Sequence, residues 1–532
     1  MQRRFPSARV MERISARRAP ARGALLGVSL VVVLAGWLLA APPGASPDDG
    51  YHLGSIWCAE GFKDGVCLED VGAADRSRVL VPQDVMGLVC FQYDGRRSAA
   101  CVLDSLSPGM QQFIPVSGTN IRGERPNLYY RAMHRFVSDD LASATSRMRT
   151  ANLVVVALMM IGTALVADRR VRDAFVMSSL VVSVPLGLFL ATSLNTSAWG
   201  LAGLTTLWAN ALTVTQHERR SNRIAAAVLL LAGLTLGLGS RTEAVAHVGV
   251  SAAVVAAILV WMRLDRTGRT GRRWVDLRTV GMGVGATVLT MVVVTLAPQN
   301  ARMDRILRDI GSGYDRLSAR GIGDPFLAIA FEVPSLWTGA LGHIWGLGAL
   351  DTPIPTLATV PLIGAFVVLL TVGLQGASRP RRAAAAITTV ALFALPTLAL
   401  MRSGLIVYEE LQPRQFMVLL YVLLGVALLR LPDEPPLLLG RGMRALLALG
   451  LGVGHAVALL VTMRRHISGL VEFRYVSFTS EVEWWWASGP GPNTVWAAAS
   501  LAFLVAAVVA LGAFARDERP ATSAATTAGR AV

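Results

Sequence analysis

Apolar residues run along this chain in long blocks, without the strict alternation of a half-buried strand or the single stripe of a soluble helix. The blocks fall at 24–41, 151–167, 174–193, 199–215, 224–239, 244–262, 279–297, 356–374, 384–401, 415–429, 445–463 and 493–514. Most are long enough to cross a hydrocarbon core as a helix. The pattern predicts an all-α integral membrane protein with about twelve transmembrane helices. The narrowest divide is Ser240–Glu243, which alone separates two of the blocks. Three longer stretches remain as loops, at 42–150, 298–355 and 464–492. In the second, Met303, Ile306, Leu307, Ile310, Tyr314 and Leu317 recur at three- and four-residue spacing among arginines. That spacing predicts an amphipathic helix in the membrane interface.

Charge orients these elements. Arginines from Arg3 to Arg22 precede the first block, and the connections 168–173, 216–223, 263–278, 378–382 and 430–444 and the tail from Arg516 carry more. Alternate threading brings all of them to one side, while the short turns at Asn195 and Arg241 fall on the other. Under the positive-inside rule both termini are cytoplasmic and the three long loops are outside. The expected organisation is a basic tail (1–23), a first helix (24–41), an extracytoplasmic loop (42–150) and helices two to seven (151–297). An outer loop (298–355), helices eight to twelve (356–514, with the outer loop 464–492) and a disordered tail (515–532) follow. Small residues at Ala40-Ala41 suggest a cleavable signal, but Pro42 directly after them argues for an uncleaved anchor.

Composition agrees. The 532 residues are 53% hydrophobic and 16% charged, with a mean hydropathy of +0.51, whereas soluble domains carry roughly 25% charge. The net charge of +15 does not signal nucleic-acid binding, because the arginines sit between apolar blocks. Cys58, Cys67, Cys90 and Cys101 all lie in the first long loop. They lack the spacing of a zinc site, and an outside location favours two disulfides, of which three pairings are open.

Candidate chemistry gathers at the outer edge. Asp48 and Asp49 follow the first helix, with His52 one helical turn after Asp48, so a general base or a metal ligand is available. The plainer reading has Asp48 capping a helix and Asp49 solvated. Arg241 and Glu243 occupy the tight turn at Ser240–Glu243, where a local ion pair and a cavity lining are both open. In Tyr408-Glu409-Glu410-Leu411-Gln412-Pro413-Arg414-Gln415, Arg414 can grip a phosphate or snorkel to the interface. Asn195 sits in a polar turn, and Trp484–Trp486 suit an aromatic belt, with sugar stacking a lesser alternative. No nucleotide-binding loop or zinc-protease motif is present.

Taken in order, Asp48-Asp49 with His52, Ser193–Trp199, Gly239–Glu243 and Leu411–Gln415 resemble the signature of an uncharacterised bacterial family of predicted membrane proteins. That family is grouped with the GT-C glycosyltransferases. Thr196 stands where the family pattern often has proline, and the proline usual after Arg414 is missing. The resemblance implies a GT-C-like fold in a bacterial plasma membrane. It implies transfer of a sugar from a polyprenyl-phosphate donor to an envelope glycan or lipid acceptor. Asp48 or Asp49 would be the base, with His52 orienting the carboxylates or binding the acceptor. Arg241 and Arg414 would bind phosphate, Glu243 would orient Arg241, and Asn195 and Gln412 belong to the same substrate-binding motifs. A divalent cation is a further candidate, since carboxylates and phosphate often share one. A transporter or lipid flippase, working through midplane residues such as Asn210, and a non-catalytic envelope-assembly protein are the alternatives.

Overall fold

The computed structural model describes residues 8–75, 78–107, 112–268, 303–409, 411–470, 478 and 481–515. Its α-helices are, in chain order, α1 (Ala8–Ala40), α2 (Asp49–Trp57), α3 (Gln83–Gly87), α4 (Val102–Leu106), α5 (Leu128–His134), α6 (Leu141–Val166) and α7 (Arg169–Val182). Then come α8 (Leu186–Ala191), α9 (Ser197–Leu204), α10 (Leu207–Gln216), α11 (Arg220–Leu238), α12 (Ala244–Gly268) and α13 (Met303–Ala319). The last are α14 (Pro325–Ala340), α15 (Thr356–Leu374), α16 (Arg379–Ser403), α17 (Met417–Leu428), α18 (Arg441–Ile467) and α19 (Pro492–Leu511). Among the described residues, 8 helices are long and apolar enough to cross a membrane: α1 from Ala21, α6, α11, α12, α15, α16, α18 and α19.

Three of the expected spans take another form. The block 174–193 is divided into α7 and α8 at Ser183–Pro185, where proline has no amide to continue the ladder. The block 199–215 is divided into α9 and α10 at Thr205-Thr206. There the Thr205 hydroxyl donates to the Leu201 carbonyl (2.6 Å) and the Thr206 hydroxyl to that of Gly203 (2.8 Å), a back-bonding that bends helices. The block 415–429 is the 12-residue α17. The expected span 279–297, Glu410, 471–477 of the last loop and the tail 516–532 lie outside the described residues.

The short helices occupy the middle of the molecule. Every residue of α9 and of α17 is buried, as befits helices apolar on all sides. Around them the long helices turn Leu165, Val228, Leu231, Val360, Val390, Leu449 and Leu501 outward, the surface a lipid solvent requires. Small residues let the backbones close: Gly203 on α9 lies against the Gly233 backbone of α11, and Gly36 on α1 against Ala499 of α19.

The first loop ends earlier than expected. Asp140 caps α6 by accepting from the Ser143 amide (3.0 Å), so the helix starts at Leu141 and not near 151. Nor is the chain helical throughout. A small antiparallel sheet, β1 (Leu68–Glu69), β2 (Val79–Pro82) and β3 (Phe113–Val116), stands in the loop in the order β1-β2-β3, with Leu80 opposite Leu68 and Pro115. Disulfides Cys58–Cys67 and Cys90–Cys101 close the two sequence-local rings. The amphipathic pattern forms α13, which is tied to its neighbours by Arg402–Asp309 (3.0 Å) and Arg320–Glu409 (2.5 Å). Helix α14, capped by Asp324 through the Leu327 amide (3.1 Å), is an element the pattern did not single out.

The connections sort to two ends. At one, Arg22 donates to the Ala510 carbonyl (3.3 Å), Asn222 to that of Val166 (3.1 Å), and buried Arg381 pairs with Glu434 (2.8 Å). At the other, the last carbonyls of α1 are taken by three separate side chains. Arg149 donates to Leu38 (2.5 Å), Trp486 to Leu39 (2.9 Å), and a His466 ring nitrogen meets Ala40 (3.2 Å). These contacts satisfy a helix C-terminus that would otherwise be orphaned. The chain leaves α1 there and enters the carboxylate turn.

Candidate functional site

Ser46 to Asp49 form a tight turn that opens α2. Asp49 is 1% exposed; its carboxylate accepts from the Ser46 amide (3.0 Å) and from the Ser46 hydroxyl. Asp48 sits at the helix N-cap with φ 61°, in the left-handed region, and makes no capping bond. Its carboxylate instead pairs with Arg414. The capping and solvated readings of the acidic pair are therefore both corrected: Asp48 faces a cation and Asp49 is buried.

Arg414 reaches this turn from the far end of the chain. A 3-10 turn, Pro413–Gln415, is closed by a capping box in which the Gln412 amide donates to the Gln415 side chain (3.0 Å). Gln412 thus shapes the turn that aims Arg414, and no bond joins its side chain to the carboxylates. The guanidinium is buried, not snorkelling, and also donates to the Pro47 carbonyl (3.3 Å). Asn195 donates to the same carbonyl (2.8 Å) while its own oxygen accepts from the Ser197 amide (2.9 Å). One carbonyl joins two motifs that are far apart in sequence.

The next ring is set by α9. Arg241 donates to Glu243 through Nε (2.7 Å) and Nη2, and through Nη1 to the Ser197 hydroxyl (3.1 Å). The local pair and the cluster lining coexist. His52 is fully buried on α2, with Nδ1 2.9 Å from the Tyr130 hydroxyl and Nε2 buried without a hydrogen-bond partner among the described residues. Asp48, Arg414, Asn195, Arg241 and Glu243 are thus joined in one chain of contacts, to which His52 is tied by its amide, donating to the Asp48 carbonyl (2.9 Å).

Burial and charge set the protonation states. Burial pushes the Asp49 carboxyl up to about 7, against the opposing Ser46 bonds and the Arg149 charge. Burial also raises Asp48, but the charge and bond of Arg414 outweigh it, with Arg125 adding to them, and hold it below the usual carboxylate range. Glu243 is likewise lowered, because Arg241 overcomes its desolvation. For His52, burial and the nearby Arg414 lower the imidazole well below its ordinary value, so it is neutral at pH 7.

Arg149 was missed from the sequence because it fell in the stretch read as loop. It is buried on α6, donates to the Thr192 (2.9 Å) and Leu38 carbonyls, and adds positive charge beside Asp49. An arginine directly beside an apolar block, the second of the Arg147-Met148-Arg149 run, was the available signal. Arg465 was missed too: it pairs with Asp351 (2.7 Å) and donates to the Phe91 (2.8 Å) and Arg97 (2.5 Å) carbonyls, clamping the Cys90–Cys101 ring to α18. Trp484 is buried and packs edge-on to His466, so it acts as a wedge behind the site. Among the described residues no group of three or more His, Cys, Asp and Glu is placed to hold a metal ion.

The eight long apolar helices among the described residues, the central short helices and a largely buried cluster of carboxylates and arginines at one end define a polytopic membrane protein with a polar site. Residues 31–423, more than half of the chain and all four motif stretches, match the family described as predicted membrane protein (DUF2142). The chain belongs to that family. No curated protein and no solved structure matches it.

Proposed function

We propose that the chain is a GT-C-type glycosyltransferase that moves a sugar from a polyprenyl-phosphate carrier to an extracytoplasmic acceptor of the bacterial envelope. The observation that carries this reading is that four separated stretches meet: Arg414 and Asn195 both reach the Pro47–Asp48 turn, and Arg241 joins them through the Ser197 hydroxyl beside Asn195. The loop end of the bundle would face outside, where disulfides persist, and the arginine-rich end the cytoplasm. The broken pairs α7–α8 and α9–α10, the short α17 and the segment 279–297 would bring the crossings to about twelve.

The roles divide by burial. Asp48, whose side chain is 41% exposed, is the base; Asp49, sealed under Ser46, is a positioning residue that holds the left-handed turn. When the carrier phosphate takes the Arg414 guanidinium, Asp48 loses the cation that lowers its basicity. It then accepts the proton of the acceptor hydroxyl as that oxygen attacks the anomeric carbon. The bond from the anomeric carbon to the phosphate oxygen breaks, and its electron pair leaves with the lipid phosphate. Arg414 and Arg241 stabilise that developing charge. Neutral His52, held against Tyr130, orients the start of α2 behind Asp48.

The test is envelope glycan composition in a deletion strain complemented with wild type, Asp48→Asn or the Asp48→Asn/Asp49→Asn double variant at matched membrane levels. The transferase reading expects a sugar linkage that wild type restores and Asp48→Asn does not. Equal complementation by all three rejects it.

A second reading, a transporter or flippase, is favoured by the two broken helices at the centre of the bundle. There Asn210 is buried and donates to the Thr163 hydroxyl (3.0 Å). It expects a defect in uptake or flipping from Asn210→Leu with the glycan transferred normally once substrate is supplied outside.

A further inference from the structure

The connection from α14 to α15 crosses the rim of the carboxylate–arginine cluster. Gly348 lies against the Ala45 carbonyl, just ahead of the Ser46–Asp49 turn. On the other flank, Trp345 and Pro413 pack together on Gly339, where an added Cβ would collide with both. The loop therefore runs from the Arg414 turn to the Asp48 turn.

Its backbone is held in an unusual state. The Trp345 amide donates to the His343 carbonyl (2.8 Å), closing a γ-turn around Ile344, whose φ is 70°. A positive φ in such a turn is strained, and for a β-branched residue it is an outlier that glycine would adopt freely. Leu347 and Thr352 exchange backbone bonds (2.9 and 3.2 Å) around a second tight turn in which Leu350 has φ 63°. Arg465 fixes Asp351 at the base. Core packing does not account for these residues, because Ile344 is 63% and Leu350 45% exposed. The half-exposed ring of Tyr408 stacks on Trp345 at 5.2 Å and extends the same apolar rim. Strain kept on exposed apolar side chains at the edge of a charged cluster is the pattern of a ligand clamp.

We infer that this loop seats the hydrocarbon chain of the lipid carrier, with Ile344 and Leu350 as the specificity-determining contacts next to the phosphate. The inference rests on the transferase reading and deepens it. Charge complementarity selects the occupant: Arg414 and Arg241 suit an anionic head, while the rim beside them is apolar, which together fit an amphiphile with a phosphate at one end. A soluble sugar nucleotide would set polar groups against Ile344 and Leu350 and leave both unsatisfied.

The experiment compares purified wild type, Ile344→Gly and Leu350→Gly for binding of a long-chain polyprenyl phosphate and of a short two-isoprene phosphate. Melting temperatures are measured alongside. Losing one aliphatic side chain that the bound lipid would cover predicts about tenfold weaker binding of the long chain. Short-chain binding should be unchanged, and Ile344→Gly should melt no lower than wild type. Unchanged long-chain affinity in both variants, an equal loss with both ligands, or a lower melting temperature for Ile344→Gly overturns the inference. If wild type transfers sugar and the variants bind normally, this inference fails alone; if wild type binds neither phosphate, the transferase reading falls with it.

Discussion

Asp49→Asn isolates the energetic cost of a buried carboxyl. Asp49 titrates near 7 in the folded chain because burial disfavours its charge, whereas an unfolded aspartate titrates at about 3.9. Between these values the folded state binds the proton and the unfolded state does not, so stability falls as pH rises through that window and levels off above about 7. Each pH unit well inside the window is worth about 1.4 kcal/mol. From pH 5 to pH 8 the curve flattens near 7, and wild type should lose roughly 2–3 kcal/mol from this group. Asparagine keeps the shape of the protonated acid and one acceptor for the Ser46 amide, so the variant should match wild type near pH 5 and exceed it at pH 8. The assay is reversible SDS titration in mixed micelles at pH 5, 6, 7 and 8. Parallel pH profiles for the two proteins would refute the assignment of Asp49 as a neutral, buried positioning group.

Three other outcomes follow from contacts elsewhere in the molecule. Arg414→Lys cannot hold Asp48 and the Pro47 carbonyl together, and under the proposed transferase function glycan transfer in complemented membranes should fall about 100-fold with the protein still inserted. Arg465→Met strands Asp351 and the Phe91 and Arg97 carbonyls, a loss of about 3–5 kcal/mol; limited proteolysis should then cut first between Phe91 and Arg97. Replacing Cys58 and Cys67 with serine opens a ring of sequence separation 9 and should lower stability by about 2–3 kcal/mol, read by the same SDS titration.

The site was legible where a polar residue stands at the end of an apolar run. Asp48, Asn195, Arg241 and Arg414 each stand at such a position, and all four are joined in the folded chain. The Arg241–Glu243 pair was legible from the tight turn, but the backbone partners were not, because a hydrogen bond to a backbone carbonyl leaves no mark on residue identity. The Pro47 carbonyl, which receives both Asn195 and Arg414, is one case. The α1 carbonyls capped by Arg149, Trp486 and His466 are another. Asp48 and Asp49 are adjacent and chemically identical, yet a single left-handed residue sends one toward Arg414 and the other under Ser46. Spacing rules built on regular helix geometry cannot foresee that division, since φ 61° lies outside it.

The same limit explains the spans. Hydropathy measures whether a segment tolerates an apolar surrounding, and it cannot tell whether lipid or protein supplies that surrounding. Helix α17 is as apolar as any helix of the chain and α9 carries no charged residue, but protein surrounds them both. A helix in that position is released from the length requirement of the bilayer, because its ends can be satisfied by neighbours. Arg381 does this for α17, donating to the Ala427 carbonyl (2.8 Å) and to that of Leu429; Arg241 lies at the N-terminal end of α9 through Ser197. Non-helical backbone at such depth is tolerable only when protein or a polar cavity covers it. The breaks at Ser183–Pro185 and Thr205-Thr206 are therefore possible because the long helices enclose them. One consequence reaches the site: α9 starts beside Arg241 and packs through Gly203 against α11. The position of Arg241 relative to Asn195 is thus set by glycine contacts inside the bundle, not by the loops that carry the two residues.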